Sequence, residues 1–298
     1  LQADISQKAL SISGSSAADR VYDATTTATI TAGSLSGVIG GDTVTVSGTG
    51  TFDNKNVGTD KDVATTYALA GTDGGNYSLA GETLQADVTQ KALSISGSSA
   101  ANKVYDANTT ATVTAGSLSG VIGGDTVTVS GTGTFDDKNV GTDKDVTATY
   151  SLAGTDGGNY SLAGETLQAD VTQKALGISG SSAANKVYDA NTTATVTSGS
   201  LSGVIGGDTV TVSGTGVFDN KNVGTDKDVT ATYSLAGTDG GNYSLAGETL
   251  QADVTQKTLG ISGSSAANKV YDANTTATVT AGSLSGVIGG DTVTVSGT

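Results

Sequence analysis

Apolar side chains recur at every second position along most of this chain, separated by threonine, serine or glycine. In the stretch 91–173, Leu93 and Ile95 alternate with Ala92, Ser94 and Ser96, and Val127 and Val129 alternate with Thr126, Thr128 and Ser130. Val146, Ala148, Tyr150 and Leu152 share one face of a longer run whose other face carries Thr147, Thr149 and Ser151. Tyr160 and Leu162 open another run, and Leu167, Ala169 and Val171 continue it. Period two puts successive side chains on opposite faces of an extended strand, so each run reads as a strand with one buried face. No run shows a convincing period of 3.6. Gly123-Gly124-Asp125, Asn139-Val140-Gly141 and Asp156-Gly157-Gly158-Asn159 separate the runs and read as turns, the last as a hairpin connection. The pattern predicts burial of Leu93, Ile95, Val127, Val129, Phe135, Tyr150, Leu152 and Tyr160.

The same pattern returns at a fixed interval. LQAD begins at Leu1, Leu84, Leu167 and Leu250, and VYDA at Val21, Val104, Val187 and Val270, 83 residues apart each time. With the boundary set before the lysine of the QK pair, repeats run 8–90, 91–173 and 174–256, with a partial repeat at 257–298 and the tail of a preceding one at 1–7. The chain starts and stops in mid-repeat, which predicts a stretch of a longer array. The second and third repeats differ only at Ser94/Gly177, Ala115/Ser198, Thr134/Val217 and Asp137/Asn220. Such similarity means that each repeat does the same job. A unit of 83 residues is too long for one solenoid coil and suits a small domain. About seven short strands per repeat predict an all-β array of small immunoglobulin-like β-sandwich domains forming an extended rod. A β-grasp-like unit is the alternative. Its helix would lie near Thr109–Gly116, where the threonine and valine content opposes it. The join LQADVTQKALSIS at 84–96 has neither glycine nor proline, and predicts a stiff connection.

Composition narrows the function. The chain has 44 glycines and no proline, cysteine, methionine, tryptophan or histidine. A net charge of −15 repels nucleic acid and anionic membranes. No apolar run is long enough to span a bilayer, so no membrane insertion is expected within this stretch. Without cysteine there are no disulfides and no thiolate metal sites. An acidic Gly/Ser/Thr-rich chain can remain disordered, but the regular alternation argues for folded units.

The ordered motifs KVYDANTTATVT, SLSGVIGGDTV, GTGTFDDKNVGTDK and GNYSL resemble the YDG-type (MBG-like) tandem repeats of large bacterial filamentous-haemagglutinin-like and biofilm-matrix adhesins. The resemblance covers every repeat. It implies a cell-surface stalk, exported often by two-partner secretion, and it assigns no binding residues. One departure concerns the motif itself. Tyr-Asp-Gly reads Tyr22-Asp23-Ala24, Tyr105-Asp106-Ala107, Tyr188-Asp189-Ala190 and Tyr271-Asp272-Ala273 here, and alanine disfavours any turn that needs positive φ.

Four candidate sites stand against plainer readings. Tyr105 and Asp106 form either a recurring recognition patch or a packed tyrosine beside an aspartate capping a turn. Asp136, Asp137, Asn139, Asp143 and Asp145 supply oxygens that suit calcium, but Lys138 and Lys144 interrupt them and no glutamate closes the loop. Asn108-Thr109-Thr110 and Asn159-Tyr160-Ser161 match the glycosylation acceptor pattern, which threonine-rich sequence also produces by chance. Lys91, Lys103, Lys138 and Lys144 could enter isopeptide bonds, but all four lie in polar contexts. No acid/base pair or P-loop is evident, so no enzyme, cofactor, metal or catalytic residue is expected. The expected role is a structural stalk or spacer of a secreted surface adhesin, outside the cell. It would project a distal binding region or support cell–cell and matrix contact. Its partners would be other parts of the same adhesin. In the alternative, the repeats themselves bind extracellular polysaccharide or associate with neighbouring rods.

Overall fold

The computed structural model describes residues 1–297. Among them the secondary structure is strand and short 3-10 turns, with no α-helix. The first repeat illustrates the unit. Its strands are β1 (Lys8–Ser13), β2 (Ser16–Ala17), β3 (Arg20–Val21), β4 (Thr27–Thr31), β5 (Ser34–Ser36), β6 (Thr45–Phe52), β7 (Gly58–Ala70), β8 (Tyr77–Leu79) and β9 (Thr83–Thr89). A small sheet orders them β5-β1-β8 and a large one β2-β4-β6-β7-β9-β3. The pairings β1 with β8 and β3 with β9 are parallel. The others are antiparallel, β6 and β7 pairing over their full shared length from Thr45↔Ala70 to Phe52↔Val63. The unit is a small β-sandwich-like domain, and the helix of the β-grasp alternative is absent. Thr110–Ala111 and Val113–Thr114 are strands in the equivalent stretch of the second repeat.

Period two holds strand by strand. Along β6, Thr45, Ser47, Thr49 and Thr51 face solvent while Gly50 and Phe52 are buried. Along β7, Lys61, Val63 and Thr65 point inward. In the second repeat Leu93, Phe135 and Tyr160 are buried as the pattern predicts. Ile95, Val127, Val129, Tyr150 and Leu152 are only half-buried, because sheets this small leave the strand ends open on one side.

Two inward positions of β6 carry no side chain. In the second repeat a Cβ on Gly133 would lie 2.6 Å from Val113 Cγ2 and 2.8 Å from Val146 Cγ1. The larger side chains of the neighbouring strands close over the glycine backbone, so a core short of aromatics still packs tightly.

The fold divides into two compact bodies. One comprises Leu1–Lys103, Thr109–Asp137 and Gly141–Asp170. The other comprises Val104–Asn108, Lys138–Val140 and the chain from Val171 onward. The dividing line does not follow the repeat. Two segments of the 91–173 repeat, carrying Tyr105 and Lys138, group with the residues of the repeat that follows.

Candidate functional site

The most elaborate polar cluster in each body lies where one repeat meets the next. In the first body, a corner of the first repeat presents Tyr22, Lys55, Asn56 and Val57. Tyr22 follows β3 at the sheet edge, where its backbone N–H donates to Thr89 O at 2.9 Å. The other three come from the turn between β6 and β7. The second repeat receives this corner on two turns and one tyrosine: Asp125 in the turn after Gly124, Asp156 and Asn159 around a 3-10 turn at Gly157–Asn159, and Tyr160 at the start of a strand.

The contacts are charge-assisted and fully paired. Tyr22 and Tyr160 both donate to Asp125 Oδ2, at 2.8 and 2.6 Å. Lys55 Nζ donates to Asp125 Oδ1 and to Asp156 Oδ1, each at 2.9 Å. Asn159 accepts from Val57 N at 2.9 Å and donates to Asn56 Oδ1 at 3.1 Å. The rings of Tyr22 and Tyr160 meet edge to face, centroids 5.4 Å apart. The apolar core is continuous across the joint: Leu93 and Tyr160 of the second repeat cluster with Tyr22, Phe52, Val63 and Val88 of the first.

Electrostatics follow from burial and pairing. The Asp125 side chain is 3% exposed. Burial pushes its carboxyl upward, but hydrogen bonds from Tyr160, Lys55 and Tyr22 outweigh this and hold it below the ordinary carboxylate range. Asp156 and Asp125 hold the Lys55 ammonium far above the usual lysine range. Burial, aided by the neighbouring Asp125 carboxylate, raises the Tyr22 hydroxyl. The result is a lock in which a buried carboxylate, Asp125, is paired with a partly exposed lysine.

The second body repeats the arrangement atom for atom. Tyr105 and Tyr243 donate to Asp208 Oδ2 at 2.9 and 2.6 Å. Lys138 reaches Asp208 and Asp239, both at 3.1 Å. Val140 N donates to Asn242 Oδ1 at 2.9 Å, and the tyrosine rings again lie 5.4 Å apart. Farther on, Tyr188 donates to Asp291 at 3.1 Å.

A recurring lock of this kind needs every complete repeat to carry both halves, and the repeats also match one family along the chain. The model of the YDG domain matches residues 6–85, 89–168, 172–251 and 255–298. The chain belongs to the YDG domain family. No curated protein matches it. Among solved structures, Drosophila N-cadherin EC1-4 is 11% identical, with 86% of this chain and 77% of that chain covered and a TM-score of 0.26. Drosophila N-cadherin EC1-3 is 9% identical, with coverages of 86% and 92% and a TM-score of 0.18. Neither likeness is close enough to carry an argument.

The YDG motif itself lies at the lock. Its tyrosine is the buried corner residue: Tyr22 and Tyr105 are 2% and 1% exposed, which makes them joint residues rather than a surface recognition patch. Its aspartate closes a turn, Asp23 Oδ1 accepting from Thr25 N at 2.9 Å and Asp106 Oδ1 from Asn108 N at 3.2 Å. The third residue adopts the left-handed conformation despite being alanine, with φ of 63° at Ala24 and 64° at Ala107 and Ala190. The turn that alanine disfavours therefore forms anyway, closed by the aspartate; it forms equally at Ala273, with φ of 63°, beside a Tyr271 that is 92% exposed.

The acidic loop splits between two tasks. Lys144 sits between Asp136 and Asp137 at 2.9 and 3.0 Å, while Lys138 and Asn139 belong to the lock. Asp143 N donates to Asp170 Oδ1 at 2.9 Å, and Asp145 O accepts from Asp136 N at 3.1 Å. Among the described residues no acidic group is arranged to hold a metal ion. Lys144 is more buried than its polar context suggests, with a side chain 9% exposed. Burial works against its charge, but Asp136 and Asp137 outweigh this and raise the amine above the usual lysine range. Lys103 packs over the Phe135 ring at 5.5 Å, and Lys91 lies half-buried opposite Tyr160 in a parallel pair. Of the glycosylation patterns, Asn159 is buried in the lock and Asn108 is exposed. Asp125 and Asp156 read from sequence only as turn residues. Their partners lie 70 and 101 residues away, beyond the reach of any local pattern.

Proposed function

We propose that this array of YDG repeats is a structural spacer, the stalk of a secreted bacterial surface adhesin. It carries a distal binding region away from the cell or supports cell–cell and matrix contact outside it. The observation that carries this reading is the lock. Each body contains a tyrosine–lysine–asparagine corner seated on the next repeat's aspartate–aspartate–asparagine–tyrosine face, and the apolar core runs through the joint of the first body. A flexible tether has no use for ion pairs on a buried carboxylate and a shared core at its joints. The resemblance to adhesin repeats supports the extracellular setting.

Negative-stain electron microscopy and small-angle scattering test the proposal. The intact chain should give a single extended length with a narrow spread. Lys55→Met together with Lys138→Met should broaden that spread while leaving strand content unchanged. Free bending of the unmodified chain at its joints would replace the spacer with a flexible tether.

A further inference from the structure

The first repeat carries its own copy of the receiving face, and we infer that this face is a docking surface for the Tyr–Lys–Asn–Val corner of another YDG repeat. The equivalent residues are Asp42, Asp73, Asn76 and Tyr77, each 83 residues before its counterpart in the second repeat. Their internal geometry is already that of an occupied face. Tyr77 donates to Asp42 Oδ2 at 2.5 Å and accepts from Ile39 N at 3.1 Å, as Tyr160 does with Asp125 and Ile122. Asp73 Oδ2 accepts from Thr43 N at 2.9 Å, as Asp156 does from Thr126. Gln7 donates to Gly75 O at 3.1 Å, as Gln90 does to Gly158.

The difference is in what lies on top. Asn76 is exposed, whereas Asn159 and Asn242 are 4% and 5% exposed under their corners. Among the described residues neither Asp42 nor Asp73 forms an ion pair, whereas Asp125 and Asp156 share Lys55 and Asp208 and Asp239 share Lys138. The face therefore offers two carboxylates, an amide and a tyrosine hydroxyl set in place before anything binds. A rigid, prearranged acidic face loses little freedom on docking and selects its occupant by charge and amide pairing. The occupant that fits is a repeat with a lysine between the carboxylates, a tyrosine donating to the first, and an Asn-Val pair on Asn76. All three complete repeats of this chain carry that corner, at Tyr22/Lys55/Asn56/Val57, Tyr105/Lys138/Asn139/Val140 and Tyr188/Lys221/Asn222/Val223.

The test lengthens the full chain in register by placing a second copy of residues 84–166 immediately before Leu1. Amide hydrogen exchange is then followed over Thr72–Tyr77. Exchange there should slow by about tenfold or more relative to the unlengthened chain, and exchange within the added copy reports that it is folded. Lys138→Met in the added copy, or Asp73→Asn in the first repeat, should return the rate to that of the original chain. Unchanged exchange on lengthening overturns the inference. Protection that survives both substitutions also overturns it, because contact would then not depend on the charged lock.

Discussion

At the scale of single residues, the alanine of the YDG motif is the clearest local conflict. Ala24, Ala107 and Ala190 hold φ near +64°, a region that costs an L-residue with a Cβ roughly 1–2 kcal/mol. The cost is offset where the flanking aspartate accepts from the backbone two residues on. Ala107→Gly should relieve the strain, offset in part by the greater freedom of glycine in the unfolded chain. A net gain of about 0.5–1 kcal/mol is expected. Denaturant unfolding of the parent and variant chains measures it, and a loss of stability would mean that the turn is not strained. The few differences between repeats are likewise local: where Asp137 pairs with Lys144, Asn220 Oδ1 accepts from Lys227 Nζ at 2.9 Å and keeps the same contact without the charge.

At the scale of elements, the large sheet depends on glycines that lie mid-strand. Period-two alternation places Gly133 on the inward face, but not why that position is empty. The structure supplies the reason, since Val113 and Val146 from the two adjacent strands already fill the space. Gly133→Val should force both neighbours off their rotamers and destabilise the second repeat by roughly 1–3 kcal/mol. Thr132→Val, on the exposed face of the same strand, should cost far less. Comparable losses from the two changes in thermal melts would show that the face is loosely packed.

For the whole molecule, the locks tie repeat stability to pH at both extremes. The Tyr243 hydrogen bond holds Asp208 below the ordinary carboxylate range against the effect of burial, and Asp125 is held down in the same way. A depressed carboxylate stabilises the folded joint above its unfolded pKa, about 3.9, and the contribution is lost as pH falls through the folded value. Burial raises Tyr22 and Tyr105, so their contribution is complete below about 10 and is lost as pH rises through the raised values. Stability should therefore be level between about pH 5 and 9 and fall on either side. Melting of the intact chain across pH checks this. Tyr22→Phe with Tyr105→Phe should weaken the alkaline fall, and also soften the acid one, because each hydroxyl is one of the donors that hold Asp125 and Asp208 down. An alkaline limb untouched by the double change would place the sensitive groups elsewhere.

The sequence by itself determined the class of fold, the 83-residue period and the family. Alternation, turn residues and self-similarity are local or repeating properties, and a strand's two faces follow from backbone geometry alone. It also made packing beside a turn, and not a recognition patch, the plainer reading of the YDG tyrosine. Only the tertiary structure decided where that tyrosine goes. Its hydroxyl finds Asp125 at a separation of 103 residues, and Lys55 finds Asp156 at 101. Both separations exceed the repeat length, so each pair joins different copies of the unit. Within one repeat the same residue types read as a solvated loop and two turns. Their charges become a lock only when folding of two successive repeats brings them together, and no linear pattern records which carboxylate a distant lysine will meet.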